Sequence, residues 1–239
     1  MARRRIYPQN LASGSEGQEI THIPLDQARI TQTALLLLNE IGLKELSMRK
    51  IADKLQVKTA SLYYHVKDKD QLLQLLADKI SEQMVWPDAD LPWTDQILQW
   101  GEQFRRALHA YRDAVDIFNT TIAMGYHRLL QIEKLYKLLA SAGFPDHQIP
   151  WAASMLKNHV LGFVAEEARL REFAGEDGDT QEKMSGNFNQ FYSQLPEDQF
   201  PYMIRLASYT TNSNWDEEFQ FGLSVFIAGF SLKLPPAES

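Results

Sequence analysis

The sequence contains no cysteine, which excludes a disulfide framework and a thiolate metal site. It also lacks any apolar run near the ~20 residues that a membrane-spanning helix needs. The arginines at positions 3–5 are not followed by an apolar segment, so the sequence does not indicate a secretory signal. With 239 residues, 44% of them hydrophobic, these absences predict a cytoplasmic protein that has a substantial core and no membrane partner.

Motifs that carry catalytic chemistry are absent as well. The sequence has no H-E-x-x-H, no nucleophile elbow and no glycine-rich phosphate loop, so we predict a protein that is not an enzyme and has no cofactor. His159 and Glu166 are seven residues apart on a predicted helix, a spacing that a metal pair could use. A lone histidine on an apolar face is more often a core residue, and no metal site is predicted.

Charge is distributed unevenly along the chain. The net charge is −7, yet residues 1–85 carry 12 Lys and Arg against 10 Asp and Glu. Between Lys44 and Lys69, seven basic residues face only three acids. An acidic body with one local basic patch favours docking to nucleic acid through that patch alone.

The basic patch coincides with the segment SMRKIADKLQVKTASLYYHVKDK, residues 47–69. Its pattern predicts two short helices around a tight turn, with Ile51, Ala52 and Leu55 buried on the first helix and Leu62 and Val66 continuing the buried side. The outward candidates are Arg49, Lys50, Lys58, Thr59, Ser61, Tyr63, Tyr64, His65 and Lys69. Small polar residues at the start of the second helix, followed by aromatic and basic ones, are typical of a helix that enters a DNA major groove. The alternative is a solvated basic loop in an ordinary helical domain.

Apolar periodicity predicts an all-α protein of about ten helices. We expect a three-helix helix-turn-helix DNA-binding domain over residues 25–85, and a larger helical ligand-binding and dimerisation domain over residues 93–234. A proline-bearing linker separates the two domains. Residues 1–24 are expected to form a flexible basic arm, which either touches DNA or is a disordered tail.

The sequence resembles the tetracycline-repressor (TetR) family of bacterial regulators. The likeness is carried by ALLLLNEIGLKELSMRKIADKLQVKTASLYYHVKDKDQLL (34–73) and extends to WTDQILQWGEQFRRALHAYRD (93–113), LLASAGFPDHQI (138–149) and FQFGLSVFIAGF (219–230). The resemblance implies a helix-turn-helix at residues 47–66 with Thr59–His65 as its recognition helix. It also implies DNA contacts by Arg49, Thr59, Ala60, Ser61, Tyr63, Tyr64, His65 and Lys69. We add Lys58 to this predicted DNA-binding set because it is basic and points outward. Gln56 departs from the family, which often has glycine at that turn position.

The resemblance also implies a homodimer that binds a palindromic DNA operator and a small-molecule effector. The helices predicted over Ile149–Phe173 and Asp216–Leu234 are the candidates for pairing. Phe219, Leu223, Phe226, Ile227 and Phe230 of the second helix would either pair with a partner or fill the core of the same chain. The alternatives to a ligand-responsive repressor are a ligand-independent DNA-binding protein and an activator.

The family's tetracycline-binding members hold a magnesium–drug chelate through a histidine and further polar side chains. The corresponding positions here are Phe118 for the metal-binding histidine, and Val85 and Trp100 for two drug-binding residues. We therefore predict a largely apolar or aromatic effector rather than tetracycline with magnesium. The predicted pocket residues are Trp100, Phe104, Phe118, Thr121, Trp151, Met155, His159, Phe163 and Glu166.

Overall fold

The computed structural model describes residues 24–174, 179–211 and 214–234, and within these ranges the chain is all-α. Eleven helices occur in the described residues: α1 (Gln27–Glu45), α2 (Met48–Leu55), α3 (Thr59–Tyr63), α4 (Lys69–Glu82), α5 (Trp93–His109), α6 (Ala114–Thr120), α7 (Tyr126–Ser141), α8 (Ile149–Ala174), α9 (Asp179–Ser193), α10 (Pro201–Thr211) and α11 (Trp215–Ser231). The predicted basic arm, except for Pro24, lies outside the described residues. The predicted fold class is confirmed.

Side-chain caps explain where the first helices begin. The Ser47 hydroxyl accepts a hydrogen bond from the Lys50 N–H at the start of α2, and the Asp68 carboxylate accepts one from the Gln71 N–H at the start of α4. Each cap satisfies a backbone donor that the first turn of a helix leaves without a partner. Ser47 and Asp68 are therefore the N-caps of α2 and α4.

A glycine interrupts α1 close to its end. Gly42 has a φ of 75°, which is outside the helical region and favours glycine. The break leaves the Leu43 N–H free to donate to Asp113 Oδ2 at 2.7 Å. The residue after this break therefore contacts the larger domain.

The DNA-binding domain packs around apolar side chains that are completely buried. They are Ile30, Ala34, Leu35 and Leu38 from α1, Ile51 and Ala52 from α2, Leu62 and Val66 from α3 and the turn after it, and Leu72, Leu76, Ala77 and Ile80 from α4. The apolar face predicted on α4 is thus its inner face, and the domain has a continuous core.

In the larger domain, α5, α8 and α11 pack against one another, and α4 contacts α5, α6 and α7. Phe219, Leu223 and Phe230 of α11 are buried inside the chain, and Phe219 stacks on His159 of α8 with ring centroids 5.5 Å apart. Three of the five α11 residues therefore belong to the core of the same chain, while Phe226 and Ile227 are only half-buried. Among the described residues, no helix combines the length and the apolar composition needed to cross a lipid bilayer.

Candidate DNA-binding surface and effector cavity

The predicted DNA-contacting side chains form one exposed surface around α3. None of the nine is buried; the Arg49 side chain is 86% exposed, Tyr63 is 50% exposed and Tyr64 is 90% exposed. The structure therefore brings all nine to positions from which they could reach a ligand.

The recognition helix is shorter than predicted. It was expected to run from Thr59 to His65, but α3 ends at Tyr63. The N–H groups of His65 and Val66 both donate to the Leu62 carbonyl at 2.9 Å, which closes a tight turn instead of another helical turn. Leu62 and Val66 are both completely buried, so core packing holds this turn in place.

Two lysines of α2 are used within the domain. Lys50 forms an ion pair with Glu45 at 2.8 Å, and Lys54 forms one with Glu40 at 2.9 Å. The first pair lowers the pKa of the Glu45 carboxyl, chiefly through the hydrogen bond from Lys50. Lys50 was an outward candidate, and its ammonium group instead links α2 to the end of α1.

Gln56 ends α2 in a left-handed conformation, with φ 57° and ψ 39°. Its N–H donates to the Asp53 carbonyl at 3.1 Å, while the Val57 N–H donates to the Ala52 carbonyl at 3.0 Å. This pair of bonds is the Schellman arrangement, in which glycine is the preferred residue. The turn of the helix-turn-helix is therefore formed in spite of an unfavourable residue.

We expect Gln56→Gly to raise the free energy of unfolding by about 0.5–1 kcal/mol, since glycine adopts this conformation without steric cost. Gln56 is exposed, so the substitution removes no core contact. Urea unfolding followed by circular dichroism measures the change, with Gln32→Gly at an exposed position within α1 as a control that should lower stability. An unchanged or lower midpoint for Gln56→Gly would contradict the assigned strain.

Besides the Leu43–Asp113 bond, several hydrogen bonds connect the N-terminal domain to the larger domain. Asn39 of α1 donates through Nδ2 to the Ala110 carbonyl at 3.3 Å and accepts from the Arg112 N–H at 2.8 Å. Asp78 of α4 accepts from the Arg128 N–H at 2.9 Å in the first turn of α7. A carboxylate at a helix N-terminus is stabilised by the unpaired N–H groups and by the helix dipole.

A cavity of about 470 Å³ lies between the end of α4 and helices α5, α6, α7 and α8. Its wall includes Met84 just after α4, Trp100 and Phe104 of α5, and Phe118 near the end of α6. The ring centroids of Trp100 and Phe104 are 5.6 Å apart, and those of Phe104 and Phe118 are 5.4 Å apart. The cavity is large enough for a small organic molecule, and three aromatic rings tilted against one another line it.

Four of the nine predicted pocket residues line this cavity: Trp100, Phe104, Phe118 and Thr121. The other five do not line it, which corrects the prediction of one common pocket. They are Trp151, Met155, His159, Phe163 and Glu166. All five are on α8, whose inward face near the cavity consists of different residues, such as Pro150 and Ala153.

The five α8 residues have other surroundings. Trp151 and Met155 are exposed, at 63% and 46%. His159 and Phe163 pack against Phe219 of α11, with ring centroids 5.5 and 5.2 Å away. Glu166 is exposed and paired with Arg169. Helical periodicity placed them on one helix but could not show which neighbour each one faces.

Arg128 and Gln131 of α7 line the cavity and were missed by the sequence analysis. The Arg128 guanidinium bonds to Thr121 Oγ1 at 2.7 Å and lies 4.7 Å from the centre of the Phe118 ring. Burial lowers the pKa of this guanidinium, and the charge of Asp78 opposes the shift. The spacing of residues 128, 131, 132 and 135 along α7 was the available signal, because it is that of one helical face.

Gln131 connects the cavity with the DNA-binding domain. Its Nε2 donates to the carbonyls of Ser81 at 3.1 Å and Met84 at 3.2 Å, at and just beyond the end of α4. The Ser81 carbonyl belongs to the last turn of α4, where no intrahelical partner is available, and the Met84 carbonyl lies two residues beyond the helix. A movement of the Gln131 side chain would therefore alter the hydrogen bonding at the end of α4.

A buried charge cluster in the larger domain was also missed. Glu167, which is completely buried, accepts hydrogen bonds from Arg105 at 2.6 Å and His109 at 2.7 Å. Burial alone would raise the pKa of Glu167, but the bonds from His109 and Arg105 lower it to about 2. Arg105 also pairs with Asp216 of α11 at 2.8 Å. Sequence analysis had selected the neighbouring Glu166, since nothing in the local sequence indicates which of the two carboxylates turns inward.

The described residues contain no cluster of three or more histidine, aspartate or glutamate side chains that could hold a metal ion. The fold and the exposed surface around α3 define a helix-turn-helix protein with a helical regulatory domain. Residues 30–76 match the family model described as bacterial regulatory proteins, tetR family, and residues 86–234 match the tetracyclin repressor-like C-terminal domain. The chain therefore belongs to the TetR family of DNA-binding transcriptional regulators.

Similar proteins and solved structures support this assignment. An HTH-type transcriptional regulator of Saccharopolyspora erythraea is 29% identical over 218 residues, covering 90% of this chain and 89% of the relative. Tetracycline repressor protein class C of Escherichia coli is 31% identical over 160 residues, covering 66% of this chain and 73% of the repressor. The crystal structure of the Streptomyces coelicolor TetR family protein ActR in complex with actinorhodin superposes with a TM-score of 0.82 at 29% identity, covering 90% of this chain and 99% of that one.

Proposed function

We propose that this protein is a cytoplasmic, ligand-responsive repressor that binds a palindromic DNA operator as a homodimer. A small, largely apolar or aromatic effector in the cavity releases it from DNA. The observation that carries this proposal is the aromatic cavity of about 470 Å³ against the end of α4, the helix whose first turn adjoins the predicted DNA-reading surface. The cavity favours a ligand-responsive regulator over a ligand-independent one. We favour a repressor over an activator because several similar proteins are tetracycline repressors.

The exposed surface around α3 supports the DNA-binding part of the proposal. Thr59, Ala60 and Ser61 in the first turn of α3 are small enough to allow close approach to base edges. Tyr64 and Lys69 are exposed beside them and suit contacts to phosphate, as does the N-terminus of α4. We assign Arg49, Lys58, Tyr63 and His65 to the same surface.

Exposed apolar groups on α8 and α11 support a homodimer. Trp151 and Met155 of α8, and Phe221 and Val225 of α11, are all exposed in the single chain. A Cβ atom built on Gly229 would meet nothing within 4 Å, so a second helix could approach closely there. Two recognition helices then read two half-sites about 34–36 Å apart or a multiple of that distance.

Release from DNA follows from a shift between two arrangements of the dimer. The unliganded dimer holds its recognition helices at the operator spacing. A ligand among α5, α6 and α7 favours a second arrangement, because Asp78 and Gln131 connect α7 to α4. Only a ligand that binds the two arrangements with different affinity can act as an effector.

Selection of bound sequences from a pool of random duplex DNA tests the proposal. We expect the enriched sites to be inverted repeats, and sedimentation to show dimers with and without DNA. The Val225→Glu variant, in which a charge replaces an exposed apolar group of α11, should sediment as a monomer and bind DNA weakly. Enrichment of single half-sites, or a wild-type monomer in solution, would contradict the proposal.

Tetracycline with magnesium is not expected to bind. The ligand in the ActR complex is actinorhodin. In this chain, Phe118 occupies the position of the metal-binding histidine of the tetracycline-binding relatives. The Arg128 guanidinium, 4.7 Å from that ring, adds a positive charge that repels a divalent cation. Calorimetric titration with tetracycline should give no magnesium-dependent heat, with a tetracycline repressor as positive control. Tight magnesium-dependent binding would exclude an effector of the proposed class.

A further inference from the structure

The segment that precedes α1 joins the DNA-binding domain beside the surface around α3. Gln27, the first residue of α1, donates through Nε2 to the His65 carbonyl at 3.2 Å. His65 lies in the turn after α3 and belongs to the proposed DNA surface. Leu25 packs against the core, while Pro24, the first described residue, is exposed. The basic arm therefore leaves the domain at a point next to the DNA that the surface around α3 would hold.

The basic arm contains three consecutive arginines that the proposed function does not use. They are Arg3, Arg4 and Arg5, and no acidic residue occurs before Glu16. The family model of the DNA-binding domain begins at residue 30, so these arginines lie outside the shared motif. A guanidinium is always charged and is more weakly hydrated than an ammonium group, so it suits contacts to nucleic acid. The cluster therefore indicates an additional DNA contact.

The length of the arm is sufficient for a contact outside the major groove. Eighteen residues separate Arg5 from Pro24. A peptide chain of that length spans about 25 Å on average as a random coil and about 60 Å when extended. Once α3 occupies a major groove, the neighbouring minor groove lies half a helical turn away, which is about 17 Å. The arginines can therefore reach the minor groove that flanks the half-site.

The acidic larger domain is the other candidate partner for the three arginines. Residues 86–239 carry 12 Lys and Arg against 21 Asp and Glu. Duplex DNA is the stronger attractor, because it carries one negative charge per about 1.7 Å of its axis. The bond between Gln27 and His65 also places the start of the arm on the DNA side of the protein. Both observations favour DNA as the partner.

We propose that Arg3, Arg4 and Arg5 bind in the minor groove that flanks each operator half-site and favour A·T base pairs there. This inference rests on the proposed function, because α3 has to occupy the adjacent major groove. A narrow A·T minor groove has an enhanced negative potential, which attracts arginine side chains. In a G·C pair, the 2-amino group of guanine projects into the minor groove. The arm thus extends sequence recognition beyond the base pairs that α3 contacts.

Three versions of a selected operator, with the same half-sites and different flanking base pairs, test the inference. The flanks are A·T, G·C or inosine·C. Inosine·C presents the major-groove groups of G·C but lacks the 2-amino group in the minor groove. We expect the wild type to bind the A·T and inosine·C duplexes with similar affinity, about 5- to 20-fold more tightly than the G·C duplex. Fluorescence anisotropy measures each affinity.

Two variants of the full chain show whether the arginines cause this preference. The first combines Arg3→Ala, Arg4→Ala and Arg5→Ala. It should bind the three duplexes equally, and the slope of its log affinity against log salt should be smaller by about two units or more. The second has lysine at the same three positions. It should keep the slope, since the charge is unchanged, and lose most of the preference, since an ammonium group is more strongly hydrated.

The matched control combines Arg106→Ala, Lys137→Ala and Lys233→Ala, which remove three exposed charges from the larger domain. It should keep both the preference and the slope. Equal affinity of the wild type for the three duplexes would overturn the inference, as would a flank preference that survives either the alanine or the lysine substitutions. In these cases the operator is still bound, so the proposed function stands. A wild type that binds no operator would contradict the proposed function, and the inference with it.

Discussion

Glu167→Gln is expected to lower the free energy of unfolding by about 3 kcal/mol at neutral pH, because it removes the buried carboxylate that pairs with Arg105 and leaves that guanidinium with Asp216 as its main partner. The carboxylate is completely buried and accepts hydrogen bonds from both Arg105 and His109. An amide has one acceptor oxygen in place of two and carries no charge. Urea unfolding at fixed protein concentration measures the loss.

The pH dependence gives an independent check on Glu167. Its pKa is lowered from 4.5 to about 2, so the folded state favours the charged form. The resulting stability is fully present above pH 4.5 and is lost as pH falls towards 2. We expect this part of the acid dependence to be missing in Glu167→Gln.

Glu166→Gln is the matched control, since Glu166 is exposed and pairs only with Arg169. Exposed ion pairs contribute little, so this variant should unfold within about 0.5 kcal/mol of the wild type. If the two glutamine variants had equal stability, the buried cluster would not stabilise the domain as the geometry indicates.

Operator binding should depend strongly on Tyr63 and Lys69. We expect Tyr63→Ala and Lys69→Ala each to weaken binding by about 10- to 100-fold, since each removes one contact of about 1–3 kcal/mol. Fluorescence anisotropy on a selected operator measures the affinity, and sedimentation should show an unchanged dimer. Both residues are exposed, so neither substitution disturbs the core.

The salt dependence separates the roles of these two residues. Losing a phosphate contact at Lys69 should reduce the slope of log affinity against log salt by about one unit. Lys137→Ala removes an equal charge from an exposed position on α7 and should leave the slope unchanged. Unaltered operator affinity in both Tyr63→Ala and Lys69→Ala would remove this surface from the DNA interface.

The fold could be predicted from sequence where local signals agree. The capping residues Ser47 and Asp68 and the glycine at position 42 fixed helix boundaries through short-range chemistry. Neighbours across the fold were not predictable in the same way. Glu167 is buried and Glu166 is not because of the face that α8 turns towards α5. The exposure of Trp151 depends in the same way on how α8 is rotated about its axis. Such facts depend on packing between helices far apart in sequence.

The contact between Asp78 and the first turn of α7 has a practical consequence for engineering. A Cβ atom on Gly125 would lie 2.3 Å from Asp78 Oδ1, so the joint between the two domains tolerates almost no added volume. By contrast, the ring-lined wall at Trp100 and Phe118 shares no residue with the surface around α3. Mutant libraries aimed at new biosensor specificities should therefore vary the wall and keep positions 78 and 125 constant, so that one promoter can report on many chemicals.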